Sequence, residues 1–211
     1  MTTHFQRLEP LGDRWPIPAA ILPTARAHIV LWLDLLAAWN KSVDLVSART
    51  PEELTDLMLT DAMVLGARLP FGARVVDVGT GAGAPGLALA LLRPDLRVTL
   101  VEPMNKRVSF LRTTLGTTGR TDVNLERARG EELAQRGEKW DVAVARATLP
   151  PAAWLELGTR VVSDPGGSVW VLLARGEPPA RRGWATVEEV RYTQPQTQAP
   201  RRAVRYTRAF A

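Results

Sequence analysis

The sequence predicts an α/β fold built on a seven-stranded, mostly parallel sheet. Five strand-like apolar runs alternate with four helix-like runs, which is typical of parallel strands joined by right-handed crossovers. The strand-like runs cover 75–78, 98–101, 123–125, 142–145 and 169–173. The helix-like runs cover 86–92, 106–115, 131–136 and 152–161. Two further extended runs, 185–192 and 203–210, have no helix between them and predict a terminal antiparallel hairpin.

Residues 1–70 predict a helical extension in front of a main domain at 71–211. Apolar residues three and four positions apart predict a first helix within 19–39. Proline fits only a first turn, so Pro23 is one candidate for its start. A second helix is predicted after Thr50, which forms a capping box with Glu53. Both helices are too small to form a core alone, so we expect them to pack on the main domain.

A glycine-rich segment at 74–86, RVVDVGTGAGAPG, is the most informative stretch of the chain. It reads as a strand, a tight turn and a helix start, which open a nucleotide-binding sheet. Glycine suits such a turn because it adopts positive φ and places no side chain against a ligand. Pro85 suits the first turn of the helix. The spacing Gly81-x-Gly83-x-x-Gly86 also fits dinucleotide enzymes, so an NAD-dependent oxidoreductase is one open interpretation.

Two acidic residues favour a different ligand. Asp77 directly precedes the turn, where a carboxylate would repel a pyrophosphate and attract a positive charge. S-adenosylmethionine carries an ammonium and a sulfonium group and no phosphate. Glu102 ends the next strand-like run, where an acid can bind both hydroxyls of a ribose. With Gly79 and Gly81 in the turn, this pair favours a Rossmann-like, class I S-adenosylmethionine-dependent methyltransferase fold.

The composition excludes several kinds of site. The 211 residues include no cysteine, which excludes disulfides, thiolate nucleophiles and cysteine-based zinc sites. His4 and His28 are poorly placed for a metal, so no metal is expected. No stretch is long and apolar enough to span a bilayer, and the charged, proline-broken N-terminus lacks the features of a signal peptide. We therefore expect a cytoplasmic protein with no membrane partner.

The surplus of positive charge lies at the C-terminal end. Residues 1–174 hold 19 basic and 19 acidic residues, whereas 175–211 hold 8 arginines and 3 acidic residues. Arginines bind phosphates and stack on bases, so this segment predicts contact with RNA. A solvated basic tail, or an edge hairpin whose charges resist aggregation, is an equally open interpretation. The hairpin arginines in question are Arg201, Arg202, Arg205 and Arg208.

Several short motifs occur together and resemble one known family. They are Trp39-Asn40-Lys41, Thr50-Pro51-Glu52-Glu53-Leu54, DVGTGAGAPG, Lys106-Arg107 with Phe110-Leu111, Arg129-Gly130-Glu131-Glu132 and Ala145-Arg146-Ala147. Over about residues 25–210, the chain resembles the bacterial small-subunit ribosomal RNA guanine-N7 methyltransferases, also called the glucose-inhibited division protein B family. The proline before the last glycine of the turn, with the Lys-Arg pair downstream, is more specific than the glycines alone.

The resemblance implies a cofactor, a substrate and a set of site residues. The cofactor would be S-adenosylmethionine, and the methyl acceptor would be N7 of a guanine in 16S ribosomal RNA, either free or in the small ribosomal subunit. We expect the protein to be a monomer. In this family, Gly79 and Ala84 would line the cofactor, Glu102 would hold its ribose, and Gly130 and Glu131 would read the adenine edge.

The chemistry of guanine N7 limits what Arg146 would do. N7 has an in-plane lone pair, so no base must remove a proton before attack, and placement of the reactants is the main task. We therefore assign Arg146, which ends the fourth strand, to orienting the cofactor or the base. An ion pair that only holds the strand end is the alternative. Lys106 and Arg107 either contact phosphate or form a solvated helix face.

The chain departs from the family at positions that we expect to face the RNA. The family's usual histidine, three residues before an Asp-Ser pair, is Met58 here, and the serine is Ala62. The family's Asn-Leu-Thr is 44–46, Asp-Leu-Val, and a common Lys-Gly pair is Arg175-Gly176. These changes keep open a diverged methyltransferase that acts on another RNA or on a small molecule.

Overall fold

The computed structural model describes residues 15–209, and within this part of the chain six helices and seven strands follow the predicted order. The helices are α1 (Pro23–Trp39), α2 (Pro51–Gly66), α3 (Gly86–Leu92), α4 (Asn105–Thr117), α5 (Gly130–Arg136) and α6 (Pro151–Val161). The strands are β1 (Arg74–Val78), β2 (Arg97–Val101), β3 (Asn124–Glu126), β4 (Val142–Ala145), β5 (Ser168–Leu173), β6 (Trp184–Thr193) and β7 (Pro200–Arg208).

All seven strands form one sheet in the order β3-β2-β1-β4-β5-β7-β6. The first five are parallel, while β7 runs antiparallel to both β5 and β6. The predicted seven-stranded sheet with a terminal antiparallel hairpin is therefore confirmed. The strand order reverses between β1 and β4. In open α/β sheets, ligands bind at the carboxyl ends of the strands beside such a reversal.

Two apolar clusters cover the two faces of the sheet. Helices α1 to α4 pack on one face and α5 and α6 on the other. Side chains alternate between the two faces along each strand, as the period of two requires. On β1, for example, Val75 belongs to the first cluster and Val76 and Val78 to the second. The helical extension and the sheet thus share one core, while the division of the chain at residue 70 stays a prediction.

Helix α2 is fixed by side-chain contacts at its start and in its second turn. At its start, the Thr50 hydroxyl accepts from the Glu53 N–H at 3.2 Å, and the Glu53 carboxylate accepts from the Arg49 N–H at 2.8 Å. This is the predicted capping box, except that the Glu53 carboxylate accepts from the N–H of Arg49, the residue before the cap, and not from that of Thr50. Further along, the buried Asp56 carboxylate accepts the N–H groups of Gln196 and Thr197, which tie the β6–β7 turn to α2.

Small differences from the predictions have local causes. Helix α3 begins at Gly86 as predicted, so Pro85 lies at the capping position and not in the first turn. Strand β7 is longer at its start than predicted, because Pro200 pairs with Thr193 across the hairpin. Position 210 and the first 14 residues, including His4, lie outside the described residues.

Candidate active site

A cleft of about 530 Å³ opens at the carboxyl ends of β1, β2 and β4. The turn after β1, from Gly79 to Ala84, lines one side, and Glu102 and Arg107 line another. Arg146 and the two residues after it close the cleft on the β4 side, and Met58 faces it from α2. This volume is within the range of small-molecule sites. The cleft lies where the strand order reverses, as the glycine-rich motif predicts.

The turn after β1 needs glycine for two reasons. Gly79 and Gly81 have φ of 72° and 63°, a conformation that other residues rarely adopt. A Cβ at Gly79 would also lie 2.3 Å from the Thr148 side chain, which packs against the turn. The Thr148 hydroxyl lies 3.1 Å from the Val78 carbonyl oxygen. The turn and the segment after β4 are therefore packed directly against each other.

Helix α1 supports the same turn from behind. The indole N–H of the fully buried Trp32 donates to the Ala82 carbonyl at 3.0 Å. A Cβ at Gly83 would lie 3.2 Å from the Trp32 ring, so the close packing depends on glycine there. At this position Trp32 belongs to the core between α1 and the sheet. Its hydrogen bond to the turn was not predicted.

Asp77 lies beneath the turn and does not line the cleft. Its side chain is completely buried, and its Oδ2 accepts from the Gly86 N–H at 2.7 Å. Burial raises the pKa of the Asp77 carboxyl to about 6, against the opposing effect of this hydrogen bond. In this structure the carboxylate joins β1 to the start of α3. A contact between Asp77 and a positively charged ligand stays a prediction.

Glu102 lies at the mouth of the turn with both oxygens engaged by backbone groups. Its Oε2 accepts from the Gly81 N–H at 3.0 Å, and its Oε1 accepts from the Met104 N–H at 2.9 Å. The carboxylate is 1% exposed, yet it lines the cleft, and Arg107 lies 3.8 Å away. These contacts orient a carboxylate toward the cleft, where each oxygen keeps a lone pair for a ligand. Lys106 is exposed and does not line the cleft.

Gly130 and Glu131 lie away from the cleft lining. Gly130 begins α5, where a Cβ would lie 2.6 Å from Val78 and 2.7 Å from Leu157, so glycine allows close packing there. Glu131 is exposed in the first turn of α5, where its charge favours the helix N-terminus. Adenine recognition by these two residues stays a prediction.

Arg146 follows β4 and points across to α2. Its Nη1 donates to the Leu57 carbonyl and lies 3.3 Å from Asp61 Oδ2. Leu57 and Asp61 are one helical turn apart, so both acceptors lie on the same face of α2. Ala147, the next residue, has φ of 53°, an uncommon conformation for alanine that turns the chain sharply after Arg146. The ion pair that the sequence left as an alternative is thus present, and it lies in the cleft wall.

A second cavity of about 360 Å³ adjoins the cleft. The two spaces share Leu57 and the segment from Arg146 to Thr148 as a common wall. On its far side the second cavity is lined by the hairpin residues Tyr192 and Arg201. The Tyr192 hydroxyl donates to Asp61 Oδ1 at 2.7 Å. Sequence reasoning missed Tyr192, because nothing local links it to a residue 131 positions earlier.

The hairpin arginines have different surroundings. Arg205 lies 3.4 Å from Glu188, and Arg208 lies 2.8 Å from Asp164. Arg202 lies within 4 Å of both Glu177 and Glu189. Within residues 15–209, neither Arg175 nor Arg201 forms an ion pair. These two line a groove of about 510 Å³ together with Arg191 and Arg202, and the groove joins the second cavity.

The sheet order and the position of the cleft define a Rossmann-like class I methyltransferase fold. Two solved structures share this fold at low sequence identity. The putative methyltransferase yhhF from Escherichia coli aligns with a TM-score of 0.55 and 20% identity, over 72% of this chain and 84% of that chain. A putative rRNA-methylase from Clostridium thermocellum aligns with a TM-score of 0.53 and 14% identity, over 71% and 94%.

The chain belongs to the GidB family, described as rRNA small subunit methyltransferase G, whose model matches residues 25–189. A relative of that name in Anaeromyxobacter dehalogenans is 37% identical over 175 residues, which cover 80% of this chain and 75% of the relative. One in Frankia casuarinae is 35% identical over 212 aligned residues, covering 92% and 77%. The family resemblance is thereby confirmed.

Within residues 15–209, no helix is long and apolar enough to cross a membrane.

Proposed function

We propose that this protein transfers the methyl group of S-adenosylmethionine to N7 of a guanine in small-subunit ribosomal RNA. Membership of the rRNA small subunit methyltransferase G family carries the proposal. The protein would act as a monomer in the cytoplasm, where ribosomal subunits are found. The family gives no support to the oxidoreductase that the glycine spacing alone left open.

The cleft fits the proposed cofactor in shape and chemistry. Gly79, Gly81 and Ala84 form a surface without long side chains along one wall. Glu102 offers a preoriented carboxylate for two ribose hydroxyls, as acids do at this position in nucleotide-binding sheets. Thr80 also lines the cleft, and its buried hydroxyl lies next to the Asp77 carboxyl beneath the turn.

The bound cofactor would supply an electrophilic methyl group on a sulfonium. Guanine N7 needs no deprotonation, so the tasks left to this chain are to bind, to orient and to exclude water. Holding two reactants in the right geometry can supply on the order of 7–11 kcal/mol of the barrier. The second cavity adjoins the cleft across Arg146, so a base seated there would lie beside the cofactor. Placement across this shared wall is the proposed source of catalysis.

Arg146 is proposed to orient the base or the cofactor and to take no part in proton transfer. Methylation of N7 leaves positive charge on the base, which a lone arginine would disfavour. The Asp61 carboxylate, 3.3 Å from the guanidinium, offsets that charge and is itself 5% exposed at the cavity wall. The pair therefore offers directional N–H donors with little net charge next to the acceptor.

The groove beside the second cavity is the proposed RNA contact. Arg175, Arg191, Arg201 and Arg202 line it, and phosphate contacts by arginine fix the register of a nucleic acid on a protein. Arg205 and Arg208 lie outside this lining and are paired with acids. The proposed RNA contact thus uses part of the basic segment, whereas Arg205 and Arg208 form ion pairs outside the groove.

One observation favours a second candidate, a methyltransferase with a different acceptor. Met58, which replaces the family's usual histidine, lines the cleft, so the change alters the site itself. Ala62, which replaces the serine, is completely buried in the core and does not line the cleft. Of the two departures on α2, Met58 is therefore the one that reaches the proposed reaction site, on its cofactor side.

Transfer of a labelled methyl group from S-adenosylmethionine to purified RNA tests the proposal. The acceptors would be small-subunit and large-subunit ribosomal RNA from a strain that lacks the gene, free and as subunits. We expect label in small-subunit RNA only. Binding of S-adenosylhomocysteine without label in any ribosomal RNA would support the second candidate and contradict the first.

A further inference from the structure

We infer that Tyr192, acting through Asp61, is a positioning residue that fixes the Arg146 guanidinium between the cofactor cleft and the second cavity. The inference rests on the proposed function for its catalytic consequence. The three side chains come from distant parts of the chain: Asp61 from α2, Arg146 from the end of β4 and Tyr192 from β6. They form a continuous series of contacts that ends in the wall shared by the two spaces.

Asp61 joins the other two side chains through separate oxygens. Its Oδ1 accepts from the Tyr192 hydroxyl at 2.7 Å, and its Oδ2 lies 3.3 Å from Arg146 Nη1. Because each partner uses its own oxygen, the carboxylate has one orientation that satisfies both. Rotation of the carboxylate would break the short contact with the Tyr192 hydroxyl. Tyr192 therefore fixes the orientation in which Asp61 Oδ2 faces the Arg146 guanidinium.

The hydroxyl of Tyr192 is well suited to this role. Burial, and next the nearby charge of Asp61, raise the pKa of the Tyr192 phenol, so the group remains a neutral donor. Asp61 is itself 5% exposed, and a buried carboxylate left with an empty lone pair is costly. Removal of the hydroxyl therefore leaves Asp61 Oδ1 without a partner and favours a shift of Arg146 to bridge both oxygens.

Such a shift would change what Arg146 offers a ligand. Nη1 is committed to α2 through Leu57 and Asp61. Nε and Nη2 form no hydrogen bond within residues 15–209, and Arg146 lines both spaces. In the arrangement observed, the guanidinium thus keeps free N–H donors while one nitrogen is anchored. A guanidinium turned toward Asp61 in bidentate fashion would commit those donors and withdraw them from the cavity.

Tyr192→Phe tests the inference, with Tyr206→Phe as the matched control. The chain has only these two tyrosines. Tyr206 also donates its hydroxyl at 2.7 Å, but to the Pro179 carbonyl, away from the cleft and the second cavity. For each variant, kcat and KM for methyl transfer to small-subunit RNA, the Kd for S-adenosylhomocysteine, and the Tm would be measured. Crystal structures of both variants would locate the Arg146 guanidinium.

We expect Tyr192→Phe to lower kcat about ten- to a hundredfold, as misplacement of a positioning group by about 1 Å does, with little change in cofactor Kd. Tyr206→Phe should keep kcat within about twofold of the wild type, because its hydroxyl contacts neither reactant. Asp61→Asn should lower kcat similarly, and the double variant Tyr192→Phe/Asp61→Asn should lose no more than the worse single variant, since the residues act as one unit.

Several results would overturn the inference. They are an unchanged kcat in Tyr192→Phe, an equal loss in Tyr206→Phe, additive losses in the double variant, or an Arg146 guanidinium that keeps its place in the Tyr192→Phe crystal structure. A wild-type protein that methylates no small-subunit RNA would contradict the proposed function instead. In that case the position of Arg146 in the two variant structures still decides the role of Tyr192.

Discussion

Among single residues, the buried Asp77 under the glycine-rich turn makes the free energy of unfolding depend on pH. In the folded chain the pKa of Asp77 is about 6, so Asp77 keeps its proton up to about that pH. In the unfolded chain its pKa is the ordinary 3.8, so the proton is lost at lower pH. Between these two values the folded state binds more protons than the unfolded state. The contribution of Asp77 to the free energy of unfolding therefore falls as pH rises from about 4 to about 6.

Asp77→Asn should remove this contribution. The amide oxygen of asparagine can still accept from the Gly86 N–H, so the turn keeps its hydrogen bond. Denaturant unfolding of both proteins from about pH 4 to pH 7 would show the wild type losing stability relative to the variant as the pH rises. Parallel stability profiles for the two proteins would show that Asp77 does not titrate in this window.

Glu102 is the residue from which we expect the largest effect on cofactor affinity. Glu102→Ala removes the proposed ribose acceptor and leaves the N–H groups of Gly81 and Met104 without their partner. Hydrogen bonds to a charged group contribute about 1.5–3 kcal/mol, so affinity for S-adenosylhomocysteine should fall at least about tenfold by calorimetry. Glu138→Ala, at an exposed position with no predicted role in binding, is the comparison. Equal affinity in the wild type and Glu102→Ala would refute the assignment.

At the scale of elements, helix α1 acts on the cofactor turn through one hydrogen bond. Trp32→Phe removes the N–H that donates to Ala82, and it should weaken S-adenosylhomocysteine binding by loosening the turn. Trp154→Phe is a matched control. Its buried indole N–H also donates to a backbone carbonyl, that of Trp170, on the opposite face of the sheet. We expect both variants to lose a similar amount of stability. Only Trp32→Phe should also lose affinity for S-adenosylhomocysteine. Equal affinities would show that α1 only contributes to the core.

The β6–β7 hairpin should divide its arginines into RNA contacts and structural ion pairs. Arg201→Ala should weaken RNA binding and reduce the slope of log affinity against log salt by about one, because one phosphate contact is lost. Arg208→Ala, which removes a partner of Asp164 away from the groove, should leave that slope unchanged. Filter binding at several salt concentrations measures both. A smaller slope in Arg208→Ala alone would place the RNA elsewhere on the hairpin.

Across the whole molecule, local sequence patterns predicted the helices and strands. They could not predict contacts between residues that are far apart in the chain. Strand β4 and helix α3 have the predicted bounds, because apolar runs and glycine or proline ends are local signals. The Trp32 contact joins residues 50 positions apart, and the Tyr192 contact joins residues 131 apart. No periodicity encodes such pairs. The sequence also placed Asp77 correctly before the turn, but its burial depends on packing from both sides of the strand.

The proposed function depends on one reaction at one atom, guanine N7. It is tested by mass spectrometry of the methylated nucleoside that forms when the purified protein acts on small-subunit RNA from a strain lacking the gene. We predict 7-methylguanosine at a single site, with little product from Arg146→Ala. A different methylated nucleoside, or no product from a protein that binds S-adenosylmethionine, would contradict the account.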